Sequence, residues 1–226
     1  MTRSGAEQAA RYAVPGCAGL AALTVAVLPL AVPGVDPVAE PISDHATRPV
    51  GFVLVAVAAG AAAVAGLLLA AALARGGPPG TRIPRILLRL WCAALFVAAA
   101  VPTNPPGTDP DLGAHVHRGA AACLLVLLPL AGWLLARQAR ATDRWAPVAP
   151  RLHAWSAAAG AFALAFLAAH LPVLSGGAPY PLLGLLERLF VLCGAGLLLA
   201  LARVPTAAVA VPGRPTQALP APGAAR

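Results

Sequence analysis

From Val50 to Ala74 the chain carries no charged and no strongly polar side chain. A helix rises about 1.5 Å per residue, so a run of this length crosses the roughly 30 Å hydrocarbon core of a bilayer. Inside hydrocarbon every peptide group must be satisfied by the segment itself, which makes the helix the natural form of such a run. Five further segments meet or approach the same length: Ala13–Val32, Ile83–Val101, Gly119–Ala136, Leu152–Leu174 and Leu182–Ala202. The expected fold is therefore all-α, a polytopic integral membrane bundle of six transmembrane helices. Composition agrees. Only 11% of the 226 residues are charged and 59% are hydrophobic, against roughly 25% charged in a soluble domain, too few to coat a globule in water. Arg85 and Arg89 stand near the start of the third segment, where a long side chain snorkels to the headgroups. The first segment is longer than the about 7–15 residues of a signal-peptide core, so it is expected to remain as a span despite Pro15 and Pro29. Residues 1–12 read as a cytoplasmic N-terminal segment and residues 204–226, rich in Pro and Ala, as a disordered cytoplasmic tail.

The formal charge of +8 would suggest nucleic acid in a soluble protein, yet its distribution gives it another meaning. With six spans and the N-terminus inside, thirteen of the sixteen arginines fall on the cytoplasmic side, leaving Arg48, Arg118 and Arg188 outside. The acids show the reverse bias: Glu7 and Asp143 are inside, whereas Asp36, Glu40, Asp44, Asp109, Asp111 and Glu187 are outside. Arginine resists translocation, so both termini are expected in the cytoplasm. The basic excess is topological, with attraction to anionic inner-leaflet lipids as a second effect; membrane lipids and a membrane-protein partner are the expected partners, not nucleic acid. Cys17, Cys92, Cys123 and Cys193 lie in apolar runs with no C-x-x-C spacing and read as small buried hydrophobes. Small residues recur at helical spacing at Gly60, Ala63 and Gly66, and again at Gly194 and Gly196, which suggests close helix packing.

Residues able to carry chemistry gather in the outer segments. Pro41-Ile42-Ser43-Asp44-His45-Ala46 precedes the second span. Val101-Pro102-Thr103-Asn104-Pro105-Pro106-Gly107-Thr108-Asp109 leads to Gly113, His115 and His117 before the fourth. His170 and the Glu187-Arg188 pair lie at the ends of the fifth and sixth. All share one membrane depth, so Ser43, Asp44, Asp109, His117, His170, Glu187 and Arg188 form the candidate cluster. Adjacent on a helix, Glu187 and Arg188 point about 100° apart, so Arg188 is expected to pair across helices with Asp44 or Asp109. His115 and His117 would align on an extended segment and diverge on a helix. H-x-H alone is a weak metal signal, since zinc needs a third and usually a fourth protein ligand, and no cofactor is expected.

The Ser43-Asp44 element before a glycine-opened helix, the Pro-Thr-Asn-Pro-Pro-Gly run followed by Gly-x-x-x-His, and Gly184-Leu185-Leu186-Glu187-Arg188-Leu189 resemble the bacterial six-helix membrane family catalogued as domain of unknown function 998. The resemblance covers nearly the whole chain apart from the tail. It implies a polar signature at Ser43, Asp44, Pro102, Asp109, His117 and Arg188 and a multi-pass protein of the bacterial cytoplasmic membrane, and it supplies no activity or substrate. Asn104 stands where the family pattern implies an acid. The residues favour a non-catalytic bundle that binds lipid or a membrane partner through an outer polar cup. The alternative is an intramembrane lipid hydrolase in which Asp44 or His117 activates water, with or without a metal, and Arg188 holds a phosphate or carboxylate. It lacks a nucleophile motif, since Ser43 has no G-x-S-x-G context. A transporter, or a haem carrier using His117 and His170, ranks below both.

Overall fold

A computed structural model describes residues 3–206 of the chain, except 102, 106–107 and 175–176. The Pro/Ala-rich tail beyond Thr206 and the signature residue Pro102 lie outside the described residues. Seven α-helices follow one another: α1 (Arg3–Ala31), α2 (Ile42–His45), α3 (Pro49–Gly76), α4 (Arg82–Ala100), α5 (Leu112–Arg140), α6 (Ala149–Leu174) and α7 (Leu183–Thr206). All but the single-turn α2 are long and apolar enough to cross a membrane. The protein is a six-helix membrane bundle.

Local chemistry sets where the helices begin. Pro49 occupies the first turn of α3, where its missing N–H costs nothing and its fixed φ suits the helix. At α5 the Asp111 carboxylate accepts from Ala114 N at 2.8 Å, capping the helix well before its apolar run starts at Gly119. His115 and His117 consequently lie on a helix, not an extended loop, and they diverge: His115 is exposed while His117 is half-buried. Prolines within α1, α5 and α6 are carried inside the spans, as helix neighbours in a membrane permit.

Helices adjacent in sequence pack as neighbours, and α7 closes the ring against α1 while also touching α3 and α5. The main core joins Leu69, Leu73, Leu88, Leu128, Leu135 and Leu201 from four spans. Without a hydrophobic drive between helices in lipid, close packing carries the association. Gly66 is one such contact, since a Cβ there would strike Cys92 Sγ and the Trp91 ring. Gly60 faces open space and makes no such contact, so the small-residue spacing marks a close approach at only some of its positions. Cys123 is exposed, unlike the buried Cys92 and Cys193; on an apolar span that exposure faces the lipid side.

Alternation of the spans sends residues 32–48, 101–111 and 177–182 to one end, and 77–81 and 141–148 to the other. The second end is the basic one. There Arg137 stacks on Trp133 with its Cζ 5.0 Å from the ring centroid, and Gln138 donates to Gly80 O at 2.8 Å.

Candidate functional site

At the acidic end the chain between α1 and α3 folds into a strap. Asp36 organises its first half: its Oδ1 accepts from Val38 N at 2.8 Å, its carbonyl accepts from Glu40 N at 2.8 Å, and its own N–H donates to Glu40 Oε2 at 2.9 Å. Such an Asx turn lets a short polar side chain stand in for a backbone turn. α2 follows Pro41 as one helical turn and brings Ile42 and His45 inward, both buried.

The strap is fastened to the start of α7 by three kinds of bond. Leu185 N donates to Val38 O at 2.9 Å. Ile42 N donates to Glu187 Oε2 at 2.6 Å. Arg188 Nη1 donates to Glu40 O at 3.1 Å and to Gly184 O at 3.0 Å, while its Nη2 lies 3.4 Å from His45 Nε2. Gly184 makes this approach possible, because a Cβ on it would collide with Glu40 O. Arg188 therefore works across elements, as its sequence position suggests, yet its hydrogen bonds go to carbonyls and a histidine rather than to Asp44 or Asp109. The reason is geometric: the strap presents its backbone, not its carboxylates, to the guanidinium.

His45 is fully buried. Its Nδ1 lies 3.3 Å from Pro41 O, an acceptor only, and its Nε2 faces a guanidinium, a donor only. One arrangement satisfies both: the neutral ring with its proton on Nδ1. Burial holds the His45 pKa below the ordinary histidine value, with Arg188 and Arg48 adding to that and Pro41 O and Glu40 opposing it. Next to it, burial pushes the Asp44 carboxyl up to about 6, and the nearby Glu40 carboxylate adds to the rise.

The other expected site residues separate into two groups. Asp109 is exposed in the loop before α5, and His170 turns back on its own helix, with Nδ1 3.0 Å from Phe166 O and its ring edge-on to Phe166 at 4.4 Å. Asn104 donates to Thr108 O at 2.7 Å and accepts from Arg118 at 3.2 Å. A carboxylate in its place could do only the second, which gives the amide its own reason to be there. His117, by contrast, turns inward and is fixed by Val101 O, 2.8 Å from its Nδ1.

Ser43, His117 and Glu187 meet at one feature, a cavity of about 180 Å³ within the bundle. All six spans line it, through side chains such as Ala22, Ala58, Leu95, Leu124, Phe166 and Phe190. Alanine predominates on the walls contributed by α1 and α3 and makes half of that contributed by α4. Short side chains on these three helices leave room between the spans. Sequence reasoning found the three polar residues but not the cavity. It also passed over His45 and Glu40 as partners of Arg188, although a histidine four residues after a proline, ahead of a glycine-opened span, was there to read.

Among the described residues no three His, Cys, Asp or Glu side chains gather as metal ligands. The metal-assisted hydrolase thus gains no ligand set from the geometry, and among the described residues no hydroxyl or thiol bonds the His117 ring or the Asp44 carboxylate, the Thr47 hydroxyl donating instead to the Asp44 main-chain oxygen. No curated protein and no solved structure matches the chain. A family model does, over residues 16–204, from the first membrane span to the end of the last. The chain belongs to the membrane family described as protein of unknown function (DUF998).

Proposed function

We propose that the protein is a non-catalytic bundle of the bacterial cytoplasmic membrane, with both termini in the cytoplasm, that binds the hydrocarbon part of a membrane lipid in its central cavity. The observation that carries this reading is the cavity itself, apolar along its walls and polar only where Ser43, His117 and Glu187 line it. An apolar space lined by six helices suits hydrocarbon, and a few convergent polar groups at one end suit the head of an amphiphile. The strap of residues 36–46 covers that end and contributes Ile42 and Ser43 to the lining. Arginine distribution supports the orientation, since the basic loops remain on the side of synthesis.

The test is mass spectrometry of lipids retained by the full chain after extraction into nanodiscs from its own membrane. Retention of a defined lipid by the native chain, and its loss from Ala58→Leu, is the expected result. Equal lipid content in both would overturn the reading. Orientation is checked by impermeant maleimide on single-cysteine variants of a chain freed of its native cysteines. Asp109→Cys should react in intact cells and Arg140→Cys only after permeabilisation; reaction of both from the same face would refute the topology.

A further inference from the structure

Two of the three polar side chains at the cavity mouth present acceptors and the third is a neutral hydroxyl, and this restricts what head a bound chain can carry. In His117, Nδ1 faces Val101 O and must donate to it, so the neutral ring offers Nε2 as an acceptor. Glu187 spends Oε2 on Ile42 N, which leaves its Oε1 lone pairs. Ser43 makes no side-chain hydrogen bond among the described residues, and its hydroxyl can accept or donate. Among the described residues no arginine lines the cavity. Arg188, the nearest in sequence, points its Nη atoms at Glu40 O, Gly184 O and His45. First-turn N–H groups of two helices that begin at this end are also engaged, Ala114 N by Asp111 and Leu185 N by Val38 O.

Shape adds a second restriction. On α5 the lining runs from His117 to Leu128, about 16 Å at 1.5 Å per residue. A volume of about 180 Å³ spread along that length is little more than the roughly 150 Å³ that holds one benzene ring. By that comparison it holds about six or seven carbons, a short stretch of one chain and not the paired chains of a diacyl lipid.

Building on the lipid-binding reading above, we infer that the site selects a single-chain amphiphile whose head donates hydrogen bonds, an alcohol or an amine, and discriminates against anionic heads. A hydroxyl or ammonium group would donate to His117 Nε2 or the Glu187 carboxyl. A carboxylate or phosphate has no donor of its own, can accept only from the Ser43 hydroxyl, meets no arginine on the lining among the described residues, and would be desolvated beside another acid.

Trp91 lines the cavity and supplies the readout. The full chain in phosphatidylcholine nanodiscs is titrated with brominated long-chain alcohol, amine and carboxylate of equal chain length, and quenching of tryptophan fluorescence is followed; Trp91→Phe identifies the signal from the site. Expected is saturable quenching by the alcohol and the amine, and binding of the carboxylate about tenfold weaker or worse, a difference of about 1.4 kcal/mol. Glu187→Gln, which keeps an acceptor for Ile42 N, should narrow that gap for the carboxylate. A carboxylate that binds as well as the alcohol would overturn the head-group selectivity and leave the cavity as a chain-binding site. Absence of saturable Trp91 quenching by all three probes, with Ala58→Leu making no difference, would overturn chain binding and the selectivity together.

Discussion

Asp44 and His45 are adjacent, and burial acts on them with opposite consequences for stability. Asp44 has its carboxyl raised to about 6 when folded, against about 4 in an unfolded chain. Between those values the folded protein holds a proton that the unfolded chain has released, so the contribution of Asp44 falls as pH rises through the window and stays low above it. His45 has a lowered folded pKa. Its contribution is complete above the ordinary histidine value of about 6.5 and is lost as pH falls below that toward the folded value, because the unfolded chain then takes the proton first. The two trends oppose each other on the acid side of neutrality. Asp44→Asn should therefore raise stability at pH 7 by about 1–2 kcal/mol, a range reduced for the water that its half-buried side chain still meets. The same variant should lose stability more steeply than the native chain between pH 6 and 4. Thermal unfolding of detergent-solubilised protein across that pH range checks both; an unchanged acid limb would remove Asp44 from the account.

The strap and the first turn of α7 form one element held by backbone groups, with Arg188 as its fastener. Truncating Arg188 to Ala would strip Glu40 O and His45 Nε2 of a donor, and leaving buried polar groups unpaired costs about 1–3 kcal/mol each. Arg188→Lys keeps the charge but replaces a planar fork by a point, which cannot span two carbonyls and a histidine ring at once. Both variants should lower the unfolding midpoint, Ala more than Lys, while circular dichroism remains helical because the spans do not depend on the strap. Gly184→Val should loosen the same fastening by obstructing Glu40 O, and it should speed maleimide labelling of Ser43→Cys introduced with it. Equal labelling rates with Gly or Val at 184 would show that the close approach is dispensable. Here the legibility of the sequence divides. Six spans could be read because hydrocarbon demands long apolar runs, but hydropathy marks where the run begins, not the helix. The Asp111 cap starts α5 at Leu112, and those extra turns are what separate His115 from His117. The role of Arg188 across elements could be read from its charge in an apolar span. Its actual acceptors could not, since Glu40 O and Gly184 O are main-chain atoms and every residue in a sequence has one.

Across the whole molecule, the ring of six helices tolerates a void at its centre that a chain of this size would ordinarily collapse. At about 24 cal/mol per Å³, an apolar cavity of about 180 Å³ would cost about 4 kcal/mol if it were sealed and nothing filled it. That is a large part of the roughly 5–15 kcal/mol by which folded proteins exceed their unfolded chains. Leucine in place of a few of the alanines on α1 and α3 would remove most of the penalty. A ligand that fills the space offsets the same cost through mass action, and does so only in the folded state. Occupancy and stability are then linked, which gives a prediction independent of what the ligand is. Stripping lipid with harsh detergent should lower the unfolding midpoint of the native chain. Ala58→Leu, whose added methyl groups project into the cavity, should unfold at higher temperature than the stripped native chain, by about 1–2 kcal/mol of stabilisation, and should respond little to lipid added back. The native chain should recover its midpoint on lipid addition. If Ala58→Leu instead destabilises the stripped protein, the space is too tightly walled to accept even a butyl side chain, and hydrocarbon could not enter it either.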